Sequence, residues 1–558
     1  MNASAAVFDY VIVGAGTAGC ALAGRLAEDP TTRVCLIEAG GSDRHPFIST
    51  PALVAAAIGT RRLNWRFETV PQAHLNGRRI PQPRGRVVGG SGSINGMVYS
   101  RGNCRDYDDW AAAGATGWSY ADVLPYFLRT ENNQDLPASQ YHGHGGPMNV
   151  MRPRGPNQLN RDFIAATQSL GFPGTEDFTG VTNEGVGFRQ GVIRGGKRET
   201  TARAFLRPAL ARGRVALYTD ALVLRVLVED GRAVGVVYER EGREHQVRAA
   251  REVILSAGTI QSPQLLLLSG IGPAAQLQAS AIQPVHDLPG VGRNLQDHLA
   301  CPVLMRTANS TSYGISARAL PRGLWNVFQY LLGRSGPFAS NVFESVAFLK
   351  TAPALDRPDV QFVFQPAARP RPDFPLPIGH GYAISPVSLY PRSRGSITLR
   401  SPDPHEAPAI DPALLSVPED IQPLIRAIKL ARRILAAPQF ARYQATEVAP
   451  GFATQSDADI AEFIRNSSYT VHHQVGTCRM GEHPDAVVDS QLRLRGLHGL
   501  RVVDASVMPS IIGGNTNAVV VMIAEKAADL IRRRPLLTPA RLDANPPPLA
   551  PLEVPVWQ

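Results

Sequence analysis

Residues 8–38 read FDYVIVGAGTAGCALAGRLAEDPTTRVCLIE. Phe8 to Val13 form an apolar run of strand length. Gly14, Gly16 and Gly19 follow in G-A-G-T-A-G, and CALAGRLAED then reads as a helix. Arg33 to Ile37 predict a second strand that ends at Glu38. Gly14 permits the tight turn, Gly16 lets backbone approach a pyrophosphate, and Gly19 lets helix pack on strand. The helix N-terminus offers free N–H groups and partial positive charge to phosphates. A carboxylate at Glu38 can accept from ribose hydroxyls. Together these parts predict a dinucleotide-binding strand–helix–strand unit, with NAD and FAD both open.

The chain has 558 residues, enough for more than one domain. Its net charge of +10 comes from arginines spread along the sequence. Such a balance can favour anionic membranes or acidic partners. No basic and aromatic run resembles a nucleic-acid module, so no nucleic-acid partner is expected. Cys20, Cys35, Cys104, Cys301 and Cys478 form no CxxC, and their odd number argues against a disulfide framework. Buried thiols in a reducing compartment are the expectation. The first strand starts within eight residues of Met1, which predicts no signal peptide, and no apolar stretch reaches the length of a membrane span. The expected location is cytoplasmic, with peripheral contact at the inner membrane face as an alternative. No metal site is expected.

Residues 60–110 are rich in Gly, Arg and Pro, and an irregular segment of that length is usually functional. Strands are predicted in VALYTDALVLRVLVE from Val215, then in AVGVVYER and EHQVRA, and separately in EVILS before Gly258. QFVFQ, YAISPVSLY and GSITLR read as strands of a second sheet. Asp420 to Leu435 place Ile421, Leu424, Ile425, Ile428, Ala431, Ile434 and Leu435 on one helical face. Ser456 and Asp459 mark a helix start. LWNVFQYLL, Leu324 to Leu332, is expected as an amphipathic helix packed on the core, with a channel lip or membrane docking as alternatives. A last strand, Leu500 to Val503, ends at Asp504, and a helix runs from about Thr516 to Arg532. The Pro-rich tail after Pro535 is expected to be disordered or draped on the surface. The nucleotide domain is therefore discontinuous, with a second domain inserted.

Four further segments bear on the ligand. GRVVGGSGSING, Gly85 to Gly96, is a second Gly-rich loop whose backbone can lie close to a flat ligand or a phosphate. The others are GTIQSPQLLLLSGIG from Gly258, HHQVGT from His472, and VVDASVMPSIIGGNTNAVVVMIAEKAADLI near the C-terminus. With the opening fingerprint, and in this order, they resemble the glucose–methanol–choline (GMC) family of FAD-dependent oxidoreductases over about residues 8 to 533. LNWRFETVPQ, VYSRGN and HDLPGVGRNLQDHL carry a closer similarity to bacterial acceptor-linked alcohol and choline dehydrogenases.

The resemblance implies an α/β fold: a Rossmann-like FAD-binding domain over 1–155, 205–300 and 472–535, and an inserted substrate domain with an antiparallel sheet over 156–204 and 301–471. Residues 536–558 form the tail. Gly14, Gly16, Gly19 and Glu38 would hold the ADP half, with Thr17, Ala39 and Trp65 as further contacts. Val223 falls where family members contact adenine through the backbone. Arg86, Gly89, Gly90 and Ser91, with Asn95, Gly96, Met97 and Val98, would line pyrophosphate and flavin. Asp504 and Ala505 match another FAD contact. Asn515, Thr516 and Asn517 open a helix whose positive end would face the flavin. Some members attach flavin through a His just before the Asn of the second loop. Ile94 stands there, so non-covalent FAD is expected.

Alcohol oxidation needs a base for the O–H proton while hydride leaves for flavin. Histidine suits this near neutral pH. The resemblance makes His473 the base and Asn515 the hydrogen-bond donor to the substrate oxygen, with His472 a neighbour. Gln474 departs from the Pro that many members carry. Glu344 falls in the region where choline-oxidising relatives face a trimethylammonium group, and the alternative is a paired structural acid. The expected reaction is oxidation of a primary alcohol to an aldehyde, with electrons passed to a quinone-like or other acceptor. Alternatives are an O2-using oxidase, a choline dehydrogenase, a lyase or photodecarboxylase of the same fold, an NAD-dependent dehydrogenase and a non-catalytic flavin binder.

Overall fold

The second half of Ala6–Val13 is buried on both faces, which places it inside a parallel sheet. In the computed structural model, which describes residues 6–368 and 377–542, this strand pairs in parallel with Val34–Ile37 on one side and Arg243–Leu255 on the other. Val215–Tyr218 extends the sheet past Val34–Ile37, and Leu500–Val502 extends it past the end of Arg243–Leu255. The parallel sheet thus draws strands from the start, middle and end of the chain. Ala221–Glu229 and Arg232–Arg240 add an antiparallel meander on the first half of Arg243–Leu255.

EHQVRA and EVILS, read from sequence as separate strands, are one 13-residue strand. Its first half is largely exposed on the meander and its second half enters the core, so no single period runs through it. Strand order reverses between Ala6–Val13 and Arg243–Leu255, and a crevice forms outside their carboxyl ends. The Thr17–Leu26 helix starts at this crevice and packs against the Asn517–Ile531 helix. Gly14 adopts φ +95°, and a Cβ there would lie 2.6 Å from the Ser256 carbonyl oxygen. A Cβ on Gly19 would lie 1.9 Å from the Gly14 carbonyl oxygen, so helix and turn meet only through glycine.

An eight-stranded sheet faces the crevice. Its main path runs through Thr446–Ala449, Val303–Thr307, His380–Ser388, Val360–Gln365, Ser345–Leu349 and Gly185–Phe188, all antiparallel. Leu299–Ala300 and Tyr469–Thr470 attach at its side, so the sheet takes in two residues that precede the expected inserted segment at 301. GSITLR does not join it: Gly395–Thr398 pairs with Arg293–Leu295 and Ala409–Asp411 in a small sheet of its own. The Gln422–Leu435 helix buries Leu424, Ile425, Ile428, Ala431 and Ile434 against the large sheet. Ser456 and Asp459 form a reciprocal capping box on Asp457–Ser467.

The Leu320–Gly333 helix does not pack its apolar face on the core. Leu324, Trp325, Phe328, Leu331 and Leu332 are all more than half exposed. All five cysteines are free, and four of them are buried. Among the described residues no helix is long and apolar enough to cross a membrane. Most of the tail expected to be disordered, residues 543–558, lies outside the described residues.

Candidate active site

A cavity of about 960 Å³ runs from the crevice to the large antiparallel sheet. At the crevice end its wall is the turn after Ala6–Val13. Glu38 follows the second strand and accepts from the Ala15 N–H at 2.9 Å and the Gly40 N–H at 2.8 Å. Each oxygen keeps a second lone pair for a ligand hydroxyl. Burial pushes this carboxyl up to about 7. The Arg86 guanidinium lies 4.7 Å from the centre of the Trp65 ring, a flat wall beside Ala39.

The second Gly-rich loop is pressed onto the first. A Cβ on Gly90 would lie 2.7 Å from the Gly16 Cα, so two backbones meet there at closest approach. Arg198 holds the loop from behind: its Nη1 donates to the Asn95 carbonyl at 2.7 Å and to Asn95 Oδ1 at 2.9 Å. Thr17 Oγ1 donates to Asn517 Oδ1 at 2.9 Å, tying the first helix to the last. Asp504 accepts from the Gly258 N–H at 2.9 Å and Ser262 Oγ at 2.6 Å, joining the last strand to the Gly258–Leu268 helix.

At the far end His472 and His473 both line the cavity. Successive side chains normally diverge. Here His472 takes φ +65°, a left-handed conformation that costs roughly 1 kcal/mol outside glycine and folds the strand end back on itself. Arg84 fixes the turn by donating to the His472 carbonyl at 2.8 Å. The His473 N–H donates to Asp297 at 2.7 Å, and the His298 N–H donates to the same oxygen at 2.9 Å.

The ring hydrogen bonds fix one tautomer. His298 Nε2 sits 2.9 Å from the Leu389 carbonyl oxygen, which can only accept, so Nε2 carries the proton. His298 Nδ1 is then an acceptor, and the His473 Nδ1–H donates to it at 3.0 Å. His473 Nε2 is left as a lone pair, 3.0 Å from the Asn515 amide nitrogen that donates to it. Burial, then His298, His472, Arg84 and Arg189, hold His473 well below the ordinary imidazole value. Burial also lowers His298 to about 4 and, with Arg84, His472 to about 3. All three rings are neutral at neutral pH.

Most of the expected residues meet on this one surface. Gly14, Gly16, Thr17, Glu38, Ala39, Trp65, Arg86, Gly90, Ser91, Asn95, Gly96, Val98, Val223, Asp504, Ala505, Thr516 and Asn517 line the cavity with the two histidines and Asn515. Gly19, Gly89 and Met97 lie behind the wall: the Gly89 N–H donates to Ala15 and the Met97 carbonyl accepts from Val192. Glu344 is not brought to the cavity. It is fully buried and accepts from Ser340, Tyr313, Asn160 and the Asn157 N–H. Two donors meet each carboxylate oxygen, which leaves no face for a cation. Asp297, His298 and Arg198 carry no local signal in the sequence. The first two stand in QDHL, and only their distance to His473 in the fold reveals what they do.

Comparison with known proteins gives two family matches: the GMC oxidoreductase N-terminal model over residues 8–300 and its C-terminal model over residues 391–524. The chain is 44% identical over 541 residues to an alcohol dehydrogenase [acceptor] of Pseudomonas putida, covering 97% of this chain and 98% of that one. It is 43% identical over 531 residues to an oxygen-dependent choline dehydrogenase of Rhizobium etli, covering 95% and 96%. An FAD-dependent oxidoreductase from Chaetomium thermophilum superposes with a TM-score of 0.86 at 26% identity, covering 94% and 99%.

Proposed function

The chain belongs to the GMC oxidoreductase family, and from that premise we propose that it oxidises a primary alcohol to an aldehyde, with non-covalent FAD and a quinone-like acceptor. The observation that carries this reading is the lone pair of His473 Nε2, held 3.0 Å from the Asn515 amide on the cavity wall. FAD, when bound, supplies the acceptor for the hydride. Gly14, Gly16 and Glu38 would hold its ADP half, and the Gly90 approach would leave a flat backbone face for its other half. The cavity fits such a group: it spans the crevice, where dinucleotides lie, and reaches the histidines in one continuous space.

His473 Nε2 takes the hydroxyl proton as the carbon gives up its hydride. The Asn515 amide donates to the substrate oxygen and holds it in place. His298 keeps His473 in the tautomer that presents Nε2, and it continues to accept from Nδ1 once the ring is charged. The buried, neutral ring is ready as a base throughout the neutral range. Electron transfer to a quinone-like acceptor is supported by the acceptor-linked relative at 44% identity. The choline relative is matched by no cation site at Glu344, which favours an uncharged alcohol.

Anaerobic mixing of the holoenzyme with aliphatic, aromatic and choline substrates tests this. Bleaching of the flavin by a neutral alcohol, and recovery faster with a quinone analogue than with oxygen, is the expected result. Faster recovery with oxygen would make the protein an oxidase. With Ile94 at the position of covalent attachment, acid precipitation should release the flavin into solution.

A further inference from the structure

The Leu320–Gly333 helix is built inside out. It spans 14 residues and buries only Tyr330. Leu320 is 61% exposed, Leu324 63%, Trp325 57%, Phe328 51%, Leu331 65% and Leu332 73%. At about 100° per residue these side chains and Val327 fall on one continuous arc. The opposite face, turned to the protein, carries Asn326, Gln329 and Tyr330. Just ahead of the helix Ile315 is bridged to Ile378, and both are exposed as well. An apolar patch of this continuity marks an interaction surface.

Charge selects the occupant. From Thr307 to Phe343 the sequence has no Asp or Glu, and its only charged residues are Arg318, Arg322 and Arg334. Arg322 is held at the helix edge by the Ser310 and Ser312 carbonyls, and Arg334 lies 4.8 Å from the Tyr330 ring centre. A second copy docked face to face would bring the same arginines together with no carboxylate from this segment to meet them. A lipid surface with anionic headgroups satisfies both features: acyl chains take the apolar arc, and phosphates take the flanking arginines. The helix is too short to span a bilayer, so it would lie in the interface. Trp325, stacked on Phe328 at 5.5 Å, sits where interfacial aromatic rings anchor.

We propose that the exposed face of the 320–333 helix docks this protein on an anionic membrane surface. The chain that leaves the helix at Gly333 reaches Phe343, on the cavity wall, in ten residues. The inference stands apart from the alcohol reading, because it rests on the helix alone.

The test is co-sedimentation of the holoenzyme with vesicles of equimolar phosphatidylglycerol and phosphatidylcholine, and with vesicles of phosphatidylcholine alone. Binding to the anionic vesicles, weakened by salt, is expected, with a blue shift of tryptophan emission that Trp325→Phe abolishes. The double substitution Leu331→Glu and Leu332→Glu should lower partitioning by ~10-fold or more, and Arg318→Gln by about fivefold. Turnover of a water-soluble alcohol with a soluble dye acceptor, measured on the same samples, should not change in these variants. A loss of that turnover in the parent protein would count against the alcohol reading and leave the docking result standing. The proposal is overturned if the parent protein ignores anionic vesicles at low salt. It is equally overturned if the double variant binds them as well as the parent. A dimer that the double variant dissociates, without vesicle binding, would assign the face to a second copy instead.

Discussion

His298 never touches the cavity, yet it decides which nitrogen of His473 faces it. Its Nε2 is committed to the Leu389 carbonyl and its Nδ1 to His473, so one ring sets the tautomer of the next. His298→Phe removes that acceptor and keeps the volume. Flavin reduction by alcohol should slow by roughly 10-fold or more, well short of the ~10⁴-fold that losing the orienting carboxylate of a catalytic triad costs. His298→Gln, which retains an acceptor, should recover part of the rate; equal rates in both variants would show that only packing is at stake.

The same geometry sets a pH dependence. A histidine with a lowered pKa is neutral above it, so activity is lost only as pH falls and the ring takes a proton. The acid limb of kcat/KM should therefore lie below 6.5, the ordinary value, with a plateau through neutral pH. A limb above 6.5 would contradict the buried, neutral base.

At the scale of elements the design is contact between glycine loops. Gly90 meets Gly16 backbone to backbone, and both carry the wall of the crevice. Gly90→Ala must push these loops apart, because the Cβ would lie 2.7 Å from a Cα that no rotamer can move. The purified variant should carry little flavin while its far-ultraviolet circular dichroism stays native; full flavin occupancy would show that the loops yield without cost.

Elements differ in how much of them is legible in the sequence. The strand–turn–helix from Phe8 to Glu38 is legible because each requirement is local: a turn, a close approach, a helix start. The site at His473 is readable only through the family resemblance, since a lone histidine has no local signal. His298 and Asp297 reach it from 175 and 176 residues away, a distance that no spacing rule spans. The 320–333 helix shows the converse. Its periodicity gives an apolar face, but periodicity does not say whether that face looks inward, and here it looks out.

At the scale of the molecule two sheets share one cavity. The parallel sheet supplies the glycine turn and Glu38, the antiparallel sheet supplies Gln361 and Val387, and His473 follows the edge strand Tyr469–Thr470. A cofactor that fills this space binds the folded chain and not the unfolded one. At a concentration 100 times its Kd, such a ligand stabilises by about 2.7 kcal/mol. Removing flavin should therefore lower Tm by a few degrees and move both sheets together in one transition. Separate transitions, with only one sensitive to flavin, would mean that the cavity belongs to a single sheet.

In the proposed reaction His473 takes the proton from an alcohol while its hydride leaves. The decisive measurement is the anaerobic rate of flavin bleaching in His473→Ala against the parent protein, with the same primary alcohol and the same flavin content. The predicted result is a fall of ~100-fold or more in the variant. Bleaching at an undiminished rate would contradict it.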